Sequence, residues 1–293
     1  MFFSLADPIV NFLIFGIIQG SIYALLAMGF SLVYGVGGIL NQAHGAFYVI
    51  ATYIFYWFFI NLPVFGLLIG IIVALIITTL IGGLVYILLI KPLKDSHVGV
   101  VIVTFAFAFF IENLVGILVD KQYHDMPHLI PGYFEILGTS VPYHYLLVIG
   151  IAILLVVLIT LFINKLKLGK SIRAVAQDAE AASLMGINVD RILAYTLMIS
   201  AFLTSVAAVL NVPVDIVAPH IGWTILLNSF AIVVLGGLGS LSGSVLGAYI
   251  IAFARAYTNF FISPILSALI PIIVIVAMLV LRPRGILGKK EID

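Results

Sequence analysis

Chemistry needs ionisable or nucleophilic side chains, and this sequence of 293 residues has few, being 9% charged and 64% hydrophobic. The stretch NKLKLGKS, Asn164 to Ser171, closes like a phosphate-binding loop. Such a loop needs glycine at its first position, so that backbone N–H groups can approach the phosphate, and a strand before it. Here Asn164 stands in that position and an apolar, helix-length run precedes it, so no nucleotide site is read there. The six histidines are scattered. Only His124 and His128 share helical spacing, in a loop broken by Pro127, and no His-Glu-x-x-His motif occurs. With no cysteine, disulfides, Cys-ligated zinc and iron–sulfur clusters are excluded. No nucleophile–base pair is visible, so no catalytic residue, metal or cofactor is expected. The net charge of +1 argues for no nucleic-acid partner.

Two charges do lie inside apolar runs. Glu112 and Arg255 must each face a cavity or a partner, because an ionised group in hydrocarbon is costly. Each falls eight residues from the outward end of its run, roughly 12 Å deep at helical rise, and the matching depth predicts that they pair. His44, in a glycine-rich interruption, could line a cavity or be satisfied by backbone.

The elements that must position these groups follow from composition. A soluble domain carries roughly 25% charged residues; a chain with so few has lipid as its solvent. The N-terminal MFFSLADPIV lacks a basic region, so its apolar run is read as a retained span. At about 20 apolar residues per crossing, the candidate spans are 9–34, 43–61, 64–90, 98–119, 143–163, 192–211, 223–240, 243–262 and 264–281. The expected fold is therefore all-α: one polytopic helical bundle over 1–293 with about 8–10 transmembrane helices. Short joints at Pro63 and Pro264 leave room for a broken or re-entrant span.

Lys165, Lys167, Lys170, Arg173 and Arg191 in one loop, Lys91 and Lys94 in another, and Arg282, Arg284, Lys289 and Lys290 in the tail mark cytoplasmic segments. The loop 120–142, with Asp120, Asp125 and Glu135 against Lys121 alone, faces outward. Alternation then puts the N-terminus outside and the C-terminus inside.

Glycine organises the rest. Gly16-xxx-Gly20 and Gly239-xxx-Gly243-xxx-Gly247 are patterns that let helices approach closely in lipid. GVGGILNQAHG (35–45) and GGLGSLSG (236–243) interrupt apolar runs early and late, as discontinuous helices in transporter repeats do. Polar groups at such helix ends can meet a solute, with candidates Asn41, Gln42 and His44 at the first break and Asn228, Ser240 and Ser242 near the second.

One polar stretch remains, RAVAQDAEAASLMG, Arg173 to Gly186. At 100° per residue, Arg173, Gln177 and Glu180 fall on one side and Val175, Ala179 and Ala182 on the other, which reads as a short amphipathic helix in the cytoplasmic loop 164–191. Its apolar face is too small for a membrane anchor and suits a protein groove.

Glu180-Ala181-Ala182-xxx-Gly186 resembles the E-A-A-x-x-x-G signature of ABC-importer permeases. GSIYALLAMGFSLVYGVGGILNQAHG (20–45), GKSIRAVAQDAEAASLMGINVDR (169–191), IVVLGGLGSLSGSVLGAYI (232–250) and the tail LRPRGILG (281–288) together resemble the branched-chain amino-acid permease family, close to its high-affinity leucine/isoleucine/valine branch. The sequence departs from that pattern at Gln42 within Asn41-Gln42-Ala43-His44-Gly45, at Ser242 where proline is usual, and at Arg255 where an acidic residue is usual.

The resemblance implies an ATP-driven importer in the cell inner membrane, not itself an enzyme. It implies that Arg173, Gln177, Asp178, Glu180, Ala181, Ala182 and Gly186 contact one of two separate ATPase subunits. A second homologous permease and an external substrate-binding protein would complete the assembly. The scarcity of ionic groups favours a neutral, aliphatic amino acid on a mostly apolar route. Urea, short amides and other small solutes stay open, as does an ion-coupled carrier using Glu112; a membrane-embedded enzyme is weaker.

Overall fold

A computed structural model describes residues 6–62, 65–119, 126–136, 138–215, 217–218, 220–282 and 284–288. Pro63, Asp120, Lys121, His124, Asp125, Lys289, Lys290 and the first five residues, used above for topology, lie outside the described residues.

The chain runs α1 (Ala6–Gly37), α2 (His44–Asn61), α3 (Gly66–Val85), α4 (His97–Leu118), α5 (Tyr143–Lys165), α6 (Lys167–Gln177), α7 (Ala179–Leu184), α8 (Val189–Asn211), α9 (Ile221–Gly236), α10 (Leu241–Phe261), α11 (Pro264–Ser267) and α12 (Ile270–Leu281). A π turn, Tyr86–Ile90, and a 3-10 turn, Lys91–Leu93, prolong α3. The loop between α4 and α5 holds a small antiparallel hairpin, Tyr133–Ile136 against Thr139–Pro142, which the all-α reading did not include.

The apolar segments expected to be helical are helical over most of their described length, but 264–281 is split by a turn at Ala268 and Leu269 into α11 and α12. By length and composition five helices can cross a membrane alone: α1, α3 with its turns, α4, α5 and α8. The pair α9 and α10, bent by 117° at their break, makes a sixth if counted as one span. Helix α12 has 12 residues, about 18 Å at helical rise, which is short of the roughly 30 Å hydrocarbon core.

Burial separates a centre from a rim. Apolar windows of α1 and α8 are 61% and 67% buried, whereas those of α4 and α5 are 28% and 17% buried and present Leu, Ile and Phe outward. Helices have no hydrophobic drive to associate in lipid, so small residues that permit close approach decide the centre. Gly16 and Gly20 on α1 give way to the rings of Phe253 and Tyr249 on α10.

The two glycine-rich breaks meet. A Cβ on Gly35 would lie 2.8 Å from the Cα of Gly239, and Gly237 and Gly239 take φ of 108° and 79°, a backbone that other residues adopt only under strain. The tail then closes this end of α9: Ile286 N–H donates to Leu235 O (2.8 Å) and Leu287 N–H to Gly236 O (2.9 Å), satisfying carbonyls that a helix end leaves open.

Candidate translocation cavity and coupling helices

At the end of the bundle opposite these breaks, α1, α8, α9 and α10 surround a cavity of about 200 Å³. Its polar lining comes from Gln19 and Tyr23 on α1, Asn211 at the end of α8 and Asp215 in the turn beyond it, Thr224 and Asn228 on α9, and Arg255 and Asn259 on α10. The pairs on α1, α9 and α10 are spaced i, i+4, so both side chains of each stand on one helix face. Phe15, Ile221, Ile225, Ala252 and Ser267 complete the wall, and the exposed Asp215 and Thr224 open it to the surface.

Tyr23 is the hub. Its hydroxyl accepts from Arg255 Nη1 and from Asn228 Nδ2 (3.3 Å), and the Arg255 guanidinium lies 5.8 Å from its ring centroid. Asn211 Nδ2 donates to the Tyr48 hydroxyl at 2.7 Å, while Asn211 Oδ1, buried, has no hydrogen-bond partner among the described residues. The cavity thus has a polar centre within apolar walls. A larger hollow of about 290 Å³, lined by Ile159, Phe162, Tyr195, Met198, Phe202 and neighbours, is apolar.

The predicted Glu112–Arg255 pair does not form. Arg255 belongs to the cavity, whereas Glu112 sits where the first turns of α2 and α9 converge, its Oε2 3.5 Å from His220 Nδ1. The carbonyl of Gly222 fills the space that a side chain on Gly45 would take, and Glu112 Oε1 fills the space beside Gly222. A carboxylate at a helix N-terminus is held by free backbone N–H groups and the helix dipole. Equal depth put the two charges on one level but said nothing of azimuth, and α4 and α10 turn them to different neighbours.

The other pathway candidates divide in the same way. Asn228 and Arg255 line the cavity; Asn41, Gln42, His44, Ser240 and Ser242 do not. His44 is fully buried beside the middle of α8, 3.3 Å from Thr204 Oγ1 and edge-on to Phe30. Asn41 Oδ1 accepts from Ala43 N–H (3.1 Å) and Gln42 N–H donates to Thr104 Oγ1 (3.1 Å), which ties the first break to α4. Ser240 Oγ caps α10 by accepting from Gly243 N–H at 3.1 Å, and Ser242 is exposed.

At the opposite end, the single amphipathic helix expected over 173–186 is two helices. Asp178 is extended, with φ −158° and ψ 106°, and its side chain accepts from Ala181 N–H at 2.9 Å, which stops α6 and starts α7. Val175 and Ala182 are buried as expected, but Ala179 is exposed because the break turns it outward. Arg173, Gln177, Asp178, Glu180 and Ala181 are exposed, and Gly186 closes α7 with φ 83°. Beyond them Leu184 and Met185 stand 85% and 83% exposed, two large apolar side chains at the tip that the helical wheel did not single out.

The tip is braced against the bundle. Asp190 binds Lys91 (3.3 Å), Lys94 (3.1 Å) and the Tyr86 hydroxyl (3.2 Å), and Arg173 Nη1 donates to Asn164 Oδ1 at 3.1 Å. The Lys91/Lys94 loop and the α6–α7 loop thus share one end of the molecule.

A family model described as "Branched-chain amino acid transport system / permease component" matches residues 12–279. The chain belongs to this permease family. The chain is 31% identical to the high-affinity branched-chain amino acid transport system permease protein BraD of Pseudomonas aeruginosa, with 96% of each covered. Against the corresponding protein LivH of Escherichia coli, identity is 29% with 95% of each covered. Among solved structures, PsaBC from Streptococcus pneumoniae in complex with Fab superposes with a TM-score of 0.53 at 15% identity, covering 96% of this chain and 97% of that one, a likeness of fold.

The permease's cavity residues Gln19, Tyr23, Asn211, Asp215 and Asn259 were missed by reading breaks in apolar runs. The signal available was the repeated i, i+4 polar pair inside otherwise apolar helices, a pattern that marks a shared wet face.

Proposed function

We propose that this permease is the membrane-spanning subunit of an ATP-driven importer of branched-chain amino acids. Two ATPase subunits dock on it, a second homologous permease completes the pathway, and an external binding protein delivers substrate. The chain lies in the cell inner membrane with its N-terminus outside and α6–α7 in the cytoplasm. The observation that carries this reading is the family match over residues 12–279, which includes the exposed α6–α7 tip.

The bracing of that tip against the bundle supports a mechanical role. Closure of the ATPases presses on Glu180, Leu184 and Met185; the links from Asp190 to Lys91 and Lys94, and from Arg173 to Asn164, carry the displacement into α3, α4 and α5. The helices then swing as rigid bodies between inward- and outward-facing states. No catalysis is assigned to the chain itself; ATP is hydrolysed by the partners.

The test is uptake into proteoliposomes holding the complete importer, each candidate solute supplied with its own binding protein. ATP-dependent uptake of leucine, isoleucine or valine is expected. Uptake of urea or ribose with no response to these three amino acids overturns the substrate assignment. Uptake driven by an ion gradient without ATPases would overturn the importer class.

A further inference from the structure

We propose that the cavity is a binding site for the zwitterionic head of an amino acid, with the α-carboxylate held by Arg255 and Tyr23 and the α-ammonium by Asn211 Oδ1 beside Asp215. This rests on the importer reading and adds to it a site within the membrane subunit.

Three unmet capacities converge on the cavity. The first is the guanidinium: among the described residues, the ion pairs are Lys91–Asp190, Lys94–Asp190 and His220–Glu112, so Arg255 has no carboxylate within 4.0 Å. Of its five N–H donors, one is spent on Tyr23. A planar fork with donors to spare is the protein's best receptor for a carboxylate.

The second is the Tyr23 proton. The hydroxyl oxygen accepts from both Arg255 and Asn228, so its own O–H must point elsewhere, toward an acceptor. A carboxylate beside Arg255 is such an acceptor.

The third is Asn211. Its amide nitrogen is fixed by the Tyr48 hydroxyl, which orients the amide, and the residue is 2% exposed. Its buried carbonyl oxygen has no partner among the described residues, and an unsatisfied buried acceptor is costly. An ammonium donor satisfies it, and Asp215, one turn further along the same wall, supplies the negative potential.

Positive and negative ends within one small cavity select a solute that carries both charges. Phe15, Ile221, Ile225 and Ala252 leave an apolar wall for an aliphatic side chain. The volume, about 200 Å³, lies below the range typical of drug-sized ligands, roughly 300–1,000 Å³, and matches a small solute. A sugar would leave the guanidinium without an anion, and urea would leave the apolar wall bare.

The absence of native cysteine allows a direct test. Thr224→Cys places a thiol on the exposed side of the cavity, to be labelled with a charged methanethiosulfonate in the assembled importer, with partner subunits free of reactive thiols. Leucine at twice its half-protecting concentration is expected to slow labelling about threefold, as occupancy requires. The same concentration of 4-methylpentanoate, which lacks the ammonium, or of 3-methylbutylamine, which lacks the carboxylate, is expected to leave the rate unchanged. Arg255→Gln and Asn211→Leu should each abolish protection, and Arg255→Lys should keep part of it. Tyr23→Phe, which removes only the hydroxyl, should weaken protection and keeps the test decisive if Arg255→Gln does not assemble. Equal protection by all three compounds overturns the head-group site in favour of apolar binding. No protection by leucine in a complex that transports leucine overturns the site and leaves the importer reading standing. A complex that transports urea or ribose and no amino acid overturns both.

Discussion

Glu112 and Arg255 are both charged residues inside apolar helices, yet their surroundings differ in kind. Glu112 lies in a closed junction, against His220 and the first turn of α9, with Gly45 and Gly222 packed backbone to backbone beside it. Arg255 lies in a cavity where the Tyr23 hydroxyl, itself held by Asn228, takes one of its donors and the others remain. A charge in a membrane helix can anchor one helix to another or wait for a solute. What separates the cases is space: Glu112 is packed against His220 and two backbones, whereas Arg255 borders a cavity that a solute could enter.

The sharpest way to break this contrast is to disturb the closed junction. Gly222→Val places a branched side chain where Glu112 Oε1 already lies, with Val49 Cγ2 at 3.0 Å and Gly45 O at 3.1 Å from the first added carbon. Loss of nearly all folded subunit is expected, read as the monodisperse fraction after extraction in detergent. Normal yield would mean that the junction is loose and that Glu112 is as available as Arg255.

The exposed α6–α7 tip, the proposed docking surface, belongs to neither region and gives the next largest effect. Glu180→Lys reverses an exposed charge on α7, so substrate-stimulated ATPase activity of the reconstituted complex should fall to its basal level with thermal stability unchanged. Retained stimulation would remove Glu180 from the docking surface.

Neutralising the two buried charges then sharpens the comparison itself. Arg255→Gln should lower transport tenfold or more, on the scale of roughly 1.5–3 kcal/mol for a hydrogen bond to a charged group, with little change in melting temperature. Glu112→Gln should do the reverse, lowering the melting temperature while transport per folded complex is kept. In double-mutant cycles, Glu112 with His220 should be non-additive, whereas Glu112 with Arg255 should add within about 0.5 kcal/mol. Swapped outcomes would exchange the roles of the two regions.

The smallest effect is expected at Asp178. Removing its carboxylate in Asp178→Ala deletes the cap on Ala181 N–H, a loss of about 1 kcal/mol in typical helices. Hydrogen exchange at the start of α7 should speed up while the cavity-lining helices are unaffected. An unchanged exchange rate would show that tertiary contacts, not the cap, hold the α6–α7 joint.

Much of this permease was legible in its residues. Apolar runs located every long helix, because a lipid solvent demands internally satisfied backbone over a fixed thickness. Gly16 and Gly20 announced a close helix contact, and Gly35 and Gly239 marked two breaks that touch. The Glu180 to Gly186 motif, with its glycine at φ 83°, pointed to the family. These features are local: each depends on hydrogen bonding, bulk or backbone conformation within a few residues.

Tertiary structure decided which polar groups meet. Depth along a helix can be counted, but the direction in which a side chain points across the bundle depends on how helices are rotated and tilted against one another. Glu112 therefore found His220 rather than Arg255, and His44 found Thr204 rather than a cavity. Gln19, Tyr23, Asn211 and Asn228 became one site only because α1, α8 and α9 present those faces inward together with α10. The break at Asp178 likewise depended on one capping side chain overriding a helical periodicity that continued through it.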